Sequence, residues 1–188
     1  KHRKFICVQI PMEINEGDSN GKKAVKALKE KNRPPVISEL TKERLRLSNQ
    51  KLDGNGFRCF SLCYSNYKKW NDVQGEDVSQ LEKSLDLFNS SPLREEWNRN
   101  KLLTELILLE GFPLDASQSK SQISKNEIVK IESEMVPNTL LICLDDEIEE
   151  SLIDQLELDN TSTFICFDSA ISNQNKLRLS DKGLIKTI

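Results

Sequence analysis

The chain has 188 residues, 37% of them apolar, with one histidine and a formal net charge of −3. That is enough for one hydrophobic core or two small ones, and the charge gives no overall pull toward a phosphate backbone. The longest apolar runs, LLICL and LILLE, fall far short of the roughly 20 residues that cross a bilayer, and no secretory pattern opens the sequence, so a cytoplasmic location is the expectation.

The first element in chain order is KFICVQIPME at 4–13. Phe5, Ile6, Cys7, Val8 and Ile10 read as a strand buried on both faces, of the kind that lies inside a helix-covered parallel sheet and needs neighbours. A long Asn-, Gly- and Ser-rich connection follows, with a Lys-rich helix over 22–31 that stops at Pro34 and Pro35. VISELTKERLRLSNQKL then carries Ile37, Leu40 and Leu47 on one stripe, with Leu45 and Leu52 beside it, and Ser38 as N-cap. DGNG at 53–56 ends that helix. GFRCFSLCYSNYKKW alternates in period two and reads as a second strand.

VSQLEKSLDLF places Val78, Leu81, Leu85 and Phe88 at helical spacing. SPLREEWNRNKLLTELILLEG reads as a helix opened by Ser91 and Pro92 and closed by Gly111 and Pro113. The polar stretch 115–126 reads as a linker or surface loop, so a boundary is placed there, dividing the chain into residues 1–112 and 113–188. Beyond it, EIVKIES, VPNTLLICLDDEI and STFICFDSA read as strands and IEESLIDQLEL as a helix, with strand, helix and strand forming a right-handed parallel crossover. The tail KLRLSDKGLIKTI supplies a final edge strand. The fold class is α/β.

Acids follow the apolar strands: Glu13, Asp145 and Asp146, and Asp168. In open α/β sheets that edge binds ligands. LDDE after an apolar strand also matches a magnesium-holding strand of nucleoside triphosphatases, yet no phosphate-cradling G-x-x-x-x-G-K-[ST] occurs. The plainer reading has Asp145, Asp146 and Glu147 stabilising the positive end of the following helix. With His2 as the sole imidazole, no Ser or Cys triad assembles.

Lys42, Arg44 and Arg46 form a basic stripe that reads as solvated surface rather than a phosphate contact. Trp70 and Trp97 read as packing groups. Cys59 and Cys63 make an isolated C-x3-C without further ligands, and the five cysteines read as small hydrophobes in apolar runs rather than a zinc site.

RKFICVQIPME, ISELTKERLR, GFRCFSLCYSNYKKW, LLTELILLEGFPL, LLICLDDEI and FICFDSA, in this order, resemble the carboxyl-terminal portion of the modification subunits of type III restriction–modification systems. Those are adenine-specific DNA methyltransferases that use S-adenosylmethionine. The resemblance touches nearly the whole chain, and SELTKERLR with the following GFR strand is its most specific part. It implies that residues 1–112 finish a Rossmann-like methyltransferase sheet and that 113–188 form a small α/β assembly domain.

In that family an acid after the first strand accepts the hydroxyls of the cofactor ribose. With a one-residue offset Glu13 takes this role; without it Met12 stands in the acid's place. Neither the Asp/Asn-Pro-Pro-Tyr/Phe tetrapeptide that holds the flipped adenine nor a Phe-x-Gly-x-Gly cofactor loop occurs in these residues. The resemblance therefore implies a fragment, inactive alone, of a protein that binds S-adenosylmethionine and DNA and assembles with a restriction subunit and a second modification subunit. The rival reading is a stand-alone protein-interaction module without catalysis. Under the first reading, a sheet edge left without its neighbour favours self-association.

Overall fold

A computed structural model describes residues 6–51, 56–69, 78, 79, 81, 82, 85 and 91–188. The chain divides into two compact units, Lys1–Ser61 and Leu62–Ile188, so compactness breaks the chain well before the boundary placed at 112/113.

The first unit is built on helix α1 (Ser19–Glu30) and helix α2 (Ile37–Lys51). Asp18 caps α1, its carboxylate accepting the Gly21 N–H at 2.6 Å. A side chain at Gly21 would strike the Asn15 carbonyl oxygen at 1.9 Å, so only glycine fits there. Asn32, at φ 52°, ends the helix; the Arg33 and Asn32 N–H groups return to the Leu28 and Lys29 carbonyls, the crossed pair of bonds that lets a left-handed residue close a helix.

Val25 and Leu28 are the buried apolar side chains of α1, and α2 buries none completely. Residues 6–12 form no strand. Among the described residues the nearest ladder contact is a single bridge just after them, Glu13 to Val36, and Ile6 and Val8 are 93% and 91% exposed. The expected strand buried on both faces is therefore corrected: residues 6–12 are exposed, and no strand in the described chain lies beside them.

The second unit carries a five-stranded mixed sheet whose strands lie in chain order. They are β1 (Ser117–Ile123), β2 (Asn126–Ser133), β3 (Val136–Ile142), β4 (Ser162–Cys166) and β5 (Leu184–Thr187). β1, β2 and β3 are antiparallel neighbours, while β3, β4 and β5 run parallel. Helices α4 (Glu150–Gln155) and α5 (Asn173–Ser180) connect the parallel strands. All five residues of β4 are buried, so both faces are covered there.

Helix α3 (Arg99–Leu109) sends Leu102, Leu106 and Ile107 into the same core, and Phe112 follows them. It starts later than Ser91-Pro92 suggests: Asn98 is the cap, accepting the Asn100 and Lys101 N–H groups at 3.1 and 3.2 Å. Gly111, at φ 80°, closes it.

The edge strand β1 corrects the linker expected over 115–126. Its side chains are almost wholly exposed, so it is held by its ladder to β2, and a burial pattern could not announce it. The strand expected over GFRCFSLCYSN makes no ladder; residues 56–65 are mostly exposed, and pairing begins only with the Tyr67–Leu93 bridge. Most of the helix expected over 78–88 lies outside the described residues. The tail forms α5 as well as the expected edge strand. Cys143 and Cys166 are buried, but Cys7, Cys59 and Cys63 are exposed, which corrects the reading of most of the five as small hydrophobes in apolar strands.

Candidate functional site

Two of the strand-end acids of the second unit, Asp145 and Asp168, are committed to partners within the fold. Asp145, just past β3, is a structural clasp. Its Oδ1 accepts from Arg99 Nη2 at 2.8 Å, and its Oδ2 accepts from the Glu127 N–H at 2.9 Å and from Asn126 Nδ2 at 3.1 Å. Burial pushes its carboxyl upward, but these donors outweigh that and hold it below the usual carboxylate range.

Asn126 completes the clasp. Buried at the start of β2, it also donates to the Glu147 carbonyl at 2.7 Å and accepts the Glu149 N–H at 3.0 Å. One carboxylate thus joins α3, the hairpin and the approach to α4. The sequence-based assignment of Asp145 to the helix start is corrected: α4 begins at Glu150 and Glu149 occupies its cap position. Asp146 is exposed. Asp168 pairs with Lys176 at 2.6 Å, which lowers its carboxyl with help from Thr187.

Glu13 is exposed in the first unit. The basic stripe on α2 is committed to ion pairs: Lys42 with Glu39 at 2.6 Å and Arg46 with Glu43 at 3.3 Å, while Lys31 and Arg33 serve the same two acids. Arg44 is exposed.

The second unit holds an open groove of about 670 Å³. One wall is the segment Leu62–Asn66, and the other is Arg94, Glu96, Trp97 and Lys101. A buried node fixes the near end. The Asn66 backbone N–H and its Nδ2 both donate to Glu105 Oε2 at 2.8 Å, and Asn66 Oδ1 accepts the Asn98 N–H at 3.0 Å. Burial raises the Glu105 carboxyl, but bonds from Ser65 and Asn66 reverse that and lower it overall. Trp97 stands edge-on to Phe167 with ring centroids 5.5 Å apart, so one aromatic edge is locked to the core.

Sequence reasoning passed over Asn66. An asparagine beside an apolar run carries no local sign that it will be buried 39 residues from its acid partner.

Cys63 lines the groove, but the described residues include no histidine to activate a nucleophile. The thiols of Cys143 and Cys166 are pushed up by burial to about 11 and about 12, which keeps them protonated. Among the described residues no group of three or more acidic, Cys or His side chains is placed to hold a metal, and no helix is long and apolar enough to cross a membrane. No protein-family model, curated protein or solved structure matches the chain.

Proposed function

We propose that the chain is the carboxyl-terminal portion of a DNA adenine methyltransferase of the type III modification class. In this reading residues 6–13 and 56–65 complete a Rossmann-like sheet with strands supplied from elsewhere in the protein, and the second unit serves assembly. One observation carries it: Ile6, Val8, Ile10 and Met12, and again Phe60, Leu62 and Tyr64, repeat at the period of a strand face while standing in solvent. Single exposed apolar residues are ordinary, but two alternating sets mark surface intended for cover.

The resemblance supplies the rest. Glu13 accepts the ribose hydroxyls of S-adenosylmethionine; DNA, a restriction subunit and a second modification subunit are the partners, in the cytoplasm.

The test expresses the gene's complete reading frame beside the 188-residue chain. Methyl transfer from labelled S-adenosylmethionine to duplex DNA is expected from the former and not the latter. Hydrogen exchange at 6–12 and 56–65 should slow strongly in the longer protein. A complete frame that neither binds the cofactor nor protects these segments overturns the reading and leaves a stand-alone interaction module.

A further inference from the structure

β1 lies at the edge of the sheet and pairs only with β2. The loop between them has two residues, Ser124 and Lys125, with Ile123 opposite Asn126. Ser124 takes φ 55°, as such tight hairpin turns require. A two-residue loop closes on a hydrogen-bonded pair, so alternate residues from Ile123 back to Ser117 turn their backbone groups toward β2. Gln118, Lys120 and Gln122 then turn theirs outward, and no turn or loop bond among the described residues occupies them.

Edges of this kind are normally blunted by a proline, a bulge or a charged side chain, lysine above all. β1 has no proline and no bulge: its register with β2 is unbroken, and the irregularity of the sheet lies between β2 and β3. Its one charged residue, Lys120, is bonded to Glu127.

The sequence of this edge is close to a palindrome. SQSKSQI reads almost alike in both directions about Lys120. We propose that β1 pairs antiparallel with β1 of a second copy of this chain, with the two-fold axis at Lys120, so that two five-stranded sheets become one.

In that register Gln118 faces Gln122 of the other copy, and Ser119 faces its Ser121. Each of these side chains both donates and accepts, so a polar strand matches itself. The centred register is also the one that engages all three outward residues of both strands; a shift by two leaves one of them outside the ladder. Like charges opposite each other oppose pairing, but Lys120 Nζ already lies 3.1 and 3.2 Å from the two carboxylate oxygens of Glu127. Across the axis the order becomes acid, base, base, acid, and the row is neutral.

The inference needs only this edge and stands without the methyltransferase reading. Its test uses the full chain with Cys7, Cys59 and Cys63 changed to Ser. Directly opposed hydrogen-bonded residues have Cα atoms about 5.5 Å apart, within disulfide range. Lys120→Cys alone should therefore cross-link to itself under mild oxidation, about tenfold faster than Gln118→Cys or Gln122→Cys alone, whereas those two variants mixed should cross-link to each other.

Gln118→Pro removes an outward N–H that β2 does not use, so it should shift sedimentation of the parent chain from dimer toward monomer with an unchanged circular dichroism spectrum. A parent chain that sediments as monomer, a dimer indifferent to Gln118→Pro, or equal cross-linking at all three positions overturns the proposal. A dimer made through the exposed apolar segments of the first unit would produce the second of these results.

Discussion

Both units carry helices but differ in what lies beneath them. In the second, buried side chains from three helices and three strands meet in one continuous core, and buried polar groups such as Asn126 are bonded on every side. In the first, α1 is capped by Asp18, yet the buried apolar side chains among the described residues are Val25 and Leu28, and much of the joining is done by Glu39 and Glu43 with four cations. Caps and ion pairs fix where a helix starts and how it meets its neighbour. They do not supply the burial that offsets the entropy of ordering a chain.

The sharpest way to break this contrast is native-state hydrogen exchange on the whole chain. Amides of β2, β3 and β4 should report the full unfolding free energy, while those of α1 and α2 should exchange at least about a hundredfold faster through local opening. Equal protection in both units would show that the first has a source of stability beyond its visible burial. Next in size, Phe164→Ala in β4 should cost about 3–5 kcal/mol in denaturant titration, the usual loss for emptying a fully buried aromatic site. Leu28→Ala should leave that transition unmoved, because it belongs to the other unit.

Asp145→Ala should destabilise the second unit by about 1–3 kcal/mol, since it leaves the donors of Asn126 and Glu127 without their acceptor. The sign with pH follows from its lowered carboxyl. The folded state favours the ionised form, so the contribution is present above the ordinary carboxylate value near 4 and fades as the pH falls through the lower folded value. Thermal melts of parent and Asp145→Asn should accordingly converge in acid. The smallest effect belongs to the first unit: Glu39→Gln should cost no more than about 1 kcal/mol, and added salt should erase much of it.

How much was legible follows the same division of causes. β3 and β4 announce themselves through the apolar runs LLI and FIC that the core covers, and β2 through Ile128, Val129 and Ile131, which are buried between polar neighbours. β1 does not, because an edge strand keeps its place through backbone bonds that any side chain permits. The runs at 6–12 and 57–65 have the right alternation, but alternation describes a face and cannot provide its neighbour. Ser91-Pro92 looked like a helix start and instead precedes Leu93, whose backbone bridges Tyr67, leaving Asn98 to cap α3. The roles of Asp145 and Asn66 were hidden for one reason: each depends on partners tens of residues away.

Because each strand of the sheet lies beside the one made just before it, assembly needs no wait for a distant segment. As the chain leaves the ribosome the hairpin can close first, β3 can dock on it, and each later strand can add to an edge that already exists. A nascent chain interrupted after β3 would hold a three-stranded antiparallel sheet with two raw sides, that of β1 and that of β3, and the next strand to emerge would cover the second of them.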